Sequence, residues 1–219
     1  MKIRAVLAIV VLLAWSSVGK ADIIAYGAAD DGDGVIVCTS HWDVYNTGTG
    51  EYTLGIVGNH NEWAAGHIGK DPVTGVGDPA YFTTSSELDP TVTMHNTIDN
   101  DTGFSWTGYN IKVSMNKAFT LSEPTVYYGD TTQPGWAWTG ASLTVTPVSP
   151  SLWVGEVKYS GGTPIPDGSG VLDFSYKMSF LGSVQYCQEM TPVPEPATLA
   201  LLGMAGLGLL AYAWRRRQS

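Results

Sequence analysis

Alternating apolar and polar residues are the dominant pattern in the second half of the chain. Between positions 171 and 181, apolar side chains at every second position alternate with aspartate, serine and lysine. Residues 104–115 show a similar alternation. A period of two residues predicts β-strands with one buried face and one solvent-exposed face. These two segments are therefore the clearest strands that the sequence predicts.

Shorter segments rich in β-branched and aromatic residues predict the rest of the fold. Glycine- and aspartate-rich turns separate them, and no long amphipathic helical pattern interrupts them. Further strands are predicted at 22–26, 34–38, 51–57, 63–68, 79–84, 91–95, 125–129, 135–139, 141–146 and 153–159. Short strands with turns between them predict an all-β fold, an antiparallel, jelly-roll-like β-sandwich.

The N-terminus has the pattern of a secretory signal peptide. Residues 1–4 contain lysine and arginine, residues 5–15 form an apolar run, and Gly19 and Ala21 are small residues of the kind found at cleavage sites. The alternative, a membrane helix, is disfavoured because the apolar run is too short to span a bilayer. We predict that residues 1–21 are removed on export.

The C-terminus has the pattern of a membrane-spanning tail. Residues 197–214 contain no charge and no proline, and a helix of this length spans roughly 27 Å. Arg215, Arg216 and Arg217 follow, and positive charge beside a span favours the cytoplasmic side. We therefore predict a transmembrane helix with the exported domain on the outer side.

A short motif, Pro194, Glu195 and Pro196, precedes this run. Each proline ring fixes its own φ and biases the preceding residue away from the helical region. We expect Glu195 to lie on an extended, accessible, unstructured strip just outside the membrane. On physical grounds alone, the tail is either a plain anchor or a signal that is processed.

The parts of this tail together resemble the PEP-CTERM sorting signal of Gram-negative bacteria. The sequence Val-Pro-Glu-Pro-Ala-Thr-Leu at 193–199, a glycine-containing apolar run and a terminal arginine cluster follow in the order of that signal. The resemblance implies recognition by a membrane transpeptidase of the exosortase type and cleavage near the Pro-Glu-Pro motif, with Arg215, Arg216 and Arg217 holding the tail until then. It also implies a cell-surface or extracellular protein associated with exopolysaccharide and biofilm production.

The chain then divides into a signal peptide (1–21), an exported domain (22–190) and a sorting tail (191–219). Between 22 and 193 it has five lysines, no arginine and 19 acidic residues, which leaves a net charge of −14. A surface this acidic excludes nucleic acid as a partner, although it can hold divalent cations. The length suits a single domain with one core.

Two cysteines, Cys38 and Cys187, lie near opposite ends of the exported domain. Export to an oxidising compartment permits a disulfide between them. For so long a loop, the chain-entropy model gives a stabilisation of roughly 5 kcal/mol. We predict the disulfide, and the alternative is two buried free thiols.

The histidines do not have the spacing of a known metal site. His60, Glu62 and His67 lie close in sequence, but the pattern His-Glu-x-x-His is absent. On a strand these three positions do not share one face. We therefore predict solvated or structural histidines and no metal centre.

Asp30, Asp31 and Asp33 resemble part of a calcium-binding loop. The oxygen ligands that such a loop needs at its first and twelfth positions are missing, because Ala29 and Ser40 stand there. An aspartate- and glycine-rich turn explains the pattern, with a weak calcium site as the alternative. No other cofactor is predicted.

Motifs for nucleophilic catalysis are also missing from the sequence. Gly-x-Ser-x-Gly does not occur, and we predict no catalytic residue. The sequence does not decide whether two carboxylates pair for glycoside hydrolysis, because such partners meet only in the fold.

Trp136 and Trp138 would share one face of a strand. If these side chains are exposed, they would form a platform on which sugars stack. If they are buried, they belong to the core, and this is the interpretation that we favour. Three hypotheses follow: a non-catalytic structural or matrix protein, which we prefer; a carbohydrate-binding module; and an enzyme that acts on polysaccharide.

Overall fold

The structure is a computed structural model that describes residues 22–47, 49–70, 75–88, 90–127, 138–142 and 145–195, together with Leu207 and Arg216. The predicted signal peptide (1–21), Arg215, Arg217 and nearly all of the predicted transmembrane run lie outside the described residues. Within the residues that are described, no helix has the length and apolar character needed to cross a membrane.

The described part of the chain folds into thirteen β-strands. They are β1 (Ile23–Gly27), β2 (Ile36–Asn46), β3 (Glu51–His60), β4 (Gly66–Ile68), β5 (Ala80–Thr84), β6 (Thr91–Asn100), β7 (Trp106–Met115), β8 (Phe119–Tyr127), β9 (Thr139–Ser142), β10 (Thr146–Ser149), β11 (Leu152–Ile165), β12 (Val171–Phe180) and β13 (Val184–Pro194).

These strands form two sheets, here called sheet A and sheet B. Sheet A has eight strands, with β1-β5-β13-β7-β11-β10 as its main path; β4 also pairs with β13, and β9 with β11. Sheet B has five strands in the order β2-β3-β6-β12-β8. Every pairing is antiparallel except that of β3 with β6. The prediction of an all-β fold is confirmed, whereas a purely antiparallel arrangement is not, because the chain crosses over between β3 and β6.

The inner faces of the two sheets meet in one aromatic-rich core. Phe82 of sheet A stacks on Phe180 of sheet B, with ring centroids 5.7 Å apart. Tyr159 of sheet A lies against Phe174 of sheet B at 4.8 Å. Buried aromatic rings contribute large apolar areas, and tilted or offset pairs add further stabilisation. The period-two pattern of β12 therefore buries its apolar face as the sequence predicts.

Polar contacts also cross between the sheets. Gln188 on β13 is fully buried, and its amide nitrogen donates to the side-chain oxygen of Asn96 on β6 at 2.8 Å. The hydroxyl of Tyr176 on β12 donates to the side-chain oxygen of Gln188. These hydrogen bonds favour one alignment of the two sheets, because a shift would separate Gln188 from Asn96 and Tyr176 and leave its buried amide without partners.

Strand β13 is the main element that the sequence did not predict. It pairs with β7 over most of its length and with β4 and β5 on its other side. Two prolines and a core-facing glutamine concealed it, because proline and buried amides argue against a central strand. Pro192 and Pro194 follow the last residue that pairs with β4, so they lie where one edge of β13 has no strand partner.

Candidate functional site

The end of β13 carries the first residue of the Pro-Glu-Pro motif. Pro194 is still in register with Trp106 on β7. The Thr107 hydroxyl lies 3.1 Å from the Pro194 carbonyl oxygen and 3.4 Å from that of Val193, and it can donate to either. The backbone amide of Glu195 donates to the Ser105 carbonyl at 3.3 Å. The motif therefore begins inside the sheet.

An aromatic cleft holds the prolines at this end of sheet A. Pro192 and Pro194 line it together with Trp63, Phe104 and Trp106. The rings of Trp63 and Phe104 are 5.4 Å apart, while Trp106 is buried. We call this arrangement the proline cleft. Contact with aromatic faces removes both proline rings from water and fixes the direction in which the chain leaves the domain.

The prediction that Glu195 lies on an accessible, unstructured strip is wrong in part. Pro194 before it is buried, and Glu195 itself is half-buried with its backbone amide hydrogen-bonded. The physical reason is that β13 extends further than its two prolines suggested. Pro196 lies outside the described residues.

Fold and site together define a class: a β-domain of two facing sheets whose last core strand, β13, runs into the start of the C-terminal Pro-Glu-Pro motif. Residues 192–217 of the tail match the family model described as the PEP-CTERM protein-sorting motif. The chain therefore carries a PEP-CTERM sorting motif, as the resemblance indicated. Neither the comparison with curated proteins nor that with solved structures gives a match.

The motif indicates how the chain is exported and processed. A PEP-CTERM tail marks a protein that is exported, held transiently in the membrane by its C-terminal region and processed by an exosortase, a membrane transpeptidase. The match begins at Pro192, which lies in the proline cleft. Sorting motif and folded domain therefore overlap by the last residues of β13.

The predicted disulfide is wrong, since no disulfide bond joins Cys38 and Cys187. Their strands present them in incompatible directions. Cys38 on β2 packs against the core from sheet B. Cys187 on β13 lies between the core-facing Tyr186 and Gln188, so its side chain points to the outer face of sheet A, where it lines a surface pocket with Ser114. Burial raises the pKa of the Cys38 thiol to about 12.

Trp138 belongs to the core and not to an exposed sugar platform. Its indole is buried, and its Nε1 donates to the Thr163 carbonyl at 2.7 Å. A platform that includes Trp138 is therefore ruled out, and the preference for a core position is correct for this residue. Trp136 lies outside the described residues.

His60 and His67, which are close in sequence, lie in different environments. His60 is fully buried; its Nδ1 lies 2.8 Å from the Tyr109 hydroxyl and its Nε2 lies 2.9 Å from the Ala64 carbonyl. Burial lowers the pKa of His60 to about 4. His67 does not join His60. It lies instead beside Asp31, with 3.1 Å between Nδ1 and Oδ2.

Three ligand-type side chains converge at this second histidine. Asp31 and Asp33 come from the turn between β1 and β2, and His67 comes from β4; their ligand atoms lie within 4.8 Å of one another. We call this group the Asp-His cluster. The sequence contained both fragments, but no local signal joined them, because the contact depends on the pairing of Asp30 with Ile68 across 38 positions.

A second unpredicted feature is an aromatic row on the outer face of sheet B. Trp42, Gly55 and His95 are cross-strand neighbours on β2, β3 and β6. Trp42 contacts His95 edge-on at 5.6 Å, and Tyr127 stacks on His95 at 4.9 Å. A Cβ at Gly55 would come within 1.9 Å of the indole, so the absence of a side chain lets Trp42 lie over this strand.

Proposed function

We propose that the exported domain is a non-catalytic component of the cell surface or extracellular matrix, delivered through its PEP-CTERM tail and associated with exopolysaccharide. The observation that carries this proposal is the match at 192–217, which begins inside β13. A folded domain joined to a removable tail without an intervening linker suits a protein whose final location depends on processing. The proposed location is the cell surface or the extracellular matrix.

The outer face of sheet A supports a role without catalysis. Glu156 and Glu189 flank Lys112 on neighbouring strands, which makes them the natural carboxylate pair to consider for glycoside hydrolysis. Glu189 forms an ion pair with Lys112 at 2.8 Å, and Glu156 forms one with Lys158 at 3.3 Å. Glycosidases need one carboxyl as the acid and the other free to act at the sugar. Two carboxylates that are each paired with a lysine fit that requirement poorly.

The sorting part of the proposal is tested in the native host by replacing the motif. We expect a triple variant with alanine at Pro194, Glu195 and Pro196 to accumulate in the membrane fraction with its tail attached, whereas the wild-type protein reaches the surface and matrix fractions. Glu62→Ala, an exposed residue outside the motif, is the matched control. Wild-type distribution of the triple variant would contradict the proposal.

The absence of catalysis needs a separate measurement. The purified protein is incubated with exopolysaccharide from the same host, and new reducing ends are assayed over time. We expect none above a boiled control, together with co-sedimentation of the protein with the polymer. Release of reducing ends that is lost in Glu156→Gln or Glu189→Gln would establish an enzyme instead.

Carbohydrate binding is the second candidate, and the aromatic row favours it. Trp42 is 39% exposed and Tyr127 is 43% exposed, so both rings offer apolar surface beside polar groups of His95 and Asp173. Aromatic rings with an adjacent hydrogen-bonding group suit ligands that are apolar on one side and polar at the edge, as sugars are. The row replaces Trp138 as the place for such binding.

Affinity electrophoresis in gels that contain a neutral polysaccharide tests this candidate. Trp42→Ala should abolish the retardation shown by the wild type. Tyr81→Ala is the control, because Tyr81 is also 40% exposed and also lies over a glycine, Gly27, but on sheet A. Equal migration of the wild type with and without polymer would remove carbohydrate binding from consideration.

A further inference from the structure

The Asp-His cluster is held in place by the backbone around it. The Asp31 amide donates to the His67 carbonyl at 3.3 Å, and the Gly69 amide donates to the Ala29 carbonyl at 2.7 Å. Within the turn, the Asp31 carboxylate accepts from the Asp33 amide at 3.2 Å. The turn and β4 are thus fixed to each other before any ligand binds.

Two of the three side chains in the cluster have little access to water. The Asp31 side chain is 4% exposed and that of His67 is 11% exposed. A buried carboxylate such as that of Asp31 is a cost to folding unless a hydrogen-bond donor or a cation offsets its charge.

The ligand types select the cation. Calcium and magnesium are bound by oxygen ligands, whereas an imidazole nitrogen with carboxylate oxygens suits zinc and related divalent transition metals. His67 directs Nδ1 at Asp31, and its Nε2 lies 3.9 Å from the Glu189 carboxylate. That separation is longer than a hydrogen bond, and Glu189 is paired with Lys112 at 2.8 Å, so Glu189 adds negative charge near the ring without being a hydrogen-bonded partner of it.

We propose that Asp31, Asp33 and His67 form a binding site for one divalent transition-metal ion of the zinc class. The ion takes His67 Nδ1 and one oxygen from each aspartate, and water supplies the remaining position of a tetrahedral set. The proton of the neutral imidazole is then on Nε2, on the side of Glu189. The site ties the turn that precedes β2 to strand β4.

A simple hydrogen bond between His67 and Asp31 is the competing explanation, and Asp33 distinguishes the two. Asp33 is exposed, and its Oδ1 accepts from the Val35 amide at 2.8 Å. Asparagine at this position keeps that acceptor and therefore the turn, but it removes a charge that only a metal ion requires. His67→Gln, in contrast, alters both the hydrogen bond and the proposed ligand set.

The test uses the full chain, purified in detergent and freed of metal with a chelator. Titration calorimetry with Zn²⁺ should show one saturable site, and Asp33→Asn and His67→Gln should each weaken it by about tenfold or more. His41→Gln, which removes an exposed histidine, should bind as the wild type does. Asp33→Asn should keep the unfolding midpoint of the metal-free wild type.

A second measurement needs no variant. Co²⁺ in place of Zn²⁺ should give the visible absorption of a tetrahedral site, and Zn²⁺ should displace it. No saturable zinc binding, or equal binding by Asp33→Asn and the wild type, would overturn the proposal, as would a site that takes Ca²⁺ in preference to Zn²⁺. None of these outcomes bears on sorting, because the cluster is distinct from the tail.

Discussion

At the residue scale, buried polar side chains make the stability of this protein depend on pH. His60 is the clearest case, because both of its ring nitrogens have partners and burial lowers its pKa to about 4. In the unfolded chain the same imidazole titrates near its ordinary value of about 6.5. Between pH 6.5 and about pH 4, the unfolded state therefore binds a proton at this imidazole that the folded state does not.

This difference predicts the direction of a pH effect. The stability that neutral His60 provides is present above pH 6.5 and is lost as the pH falls towards 4, since protonation favours the unfolded chain. Between pH 7 and pH 5 the loss should be about 2 kcal/mol. Urea unfolding at the two pH values measures it.

His60→Gln supplies the comparison for this measurement. Glutamine keeps one donor and one acceptor but does not titrate, so the variant should be less sensitive to pH by about 2 kcal/mol, even if it is less stable overall. An identical pH dependence in the variant and the wild type would show that His60 is not the group responsible.

The cysteines give a second prediction at the residue scale. Cys38 faces the core from one sheet and Cys187 faces outward from the other, so both thiols should remain reduced after export. Alkylation in denaturant without reductant should label two cysteines per chain. In the folded protein Cys38 should react slowly, because burial raises its pKa to about 12. Absence of labelling until reductant is added would indicate a disulfide.

Strand β13 is the decisive element, since it joins the core to the sorting motif. It occupies a central position in sheet A, contributes Gln188 to the contacts between the sheets and ends at Pro194 in the proline cleft. Directly after β13, the backbone amide of Glu195 donates a hydrogen bond to the Ser105 carbonyl. Processing within the motif therefore requires local release of this end from β7.

Weakening that end should release the motif. Thr107→Val keeps the size of the side chain but removes the hydroxyl that contacts the Val193 and Pro194 carbonyls. One lost hydrogen bond of about 1 kcal/mol corresponds to about fivefold faster hydrogen exchange at the Glu195 amide. Exchange measured on the full chain should show this change.

Thr39→Val is the matched control for this experiment. Its hydroxyl also donates to a carbonyl of a neighbouring strand, that of Val57, but on sheet B. It should leave exchange at Glu195 unchanged. If Thr107→Val also has no effect there, the side chain does not hold the motif and the account of the proline cleft needs revision.

The strands differ in how clearly the sequence predicts them, and the reason is physical. Strand β12 was predictable because every second side chain is apolar and faces a single core. Strand β7 follows this pattern only from Tyr109 to Met115, since Tyr109, which an alternation that starts at Phe104 places on the solvent face, is fully buried. Strand β13 was not predictable, because its inward positions include Gln188, whose burial is possible only with Asn96 and Tyr176 as partners. Periodicity detects apolar burial and gives no signal for polar burial that depends on distant residues.

The candidate sites show the same limit. The tail was predictable because its parts are contiguous and their order carries the signal. The Asp-His cluster and the aromatic row were not, since each gathers residues from strands whose pairing the sequence does not specify. The facing directions of Cys38 and Cys187 likewise depend on register, and a shift of one residue reverses the face on which a side chain lies.

At the scale of the whole molecule, the chain combines a two-sheet domain of strongly acidic composition with a removable tail. Sheet B presents aromatic rings, and sheet A presents alternating lysines and glutamates. The tail match at 192–217 connects this domain to export and exosortase processing. Processing at the motif is therefore the central claim, and it decides whether the domain leaves the membrane.

The intact mass of the mature protein from its native host tests that claim most directly. The account predicts a chain that lacks residues 1–21 and ends near Pro194, Glu195 or Pro196, with any attached group appearing as added mass. A mass that still includes Arg215, Arg216 and Arg217 would contradict it and would leave the tail as a plain membrane anchor.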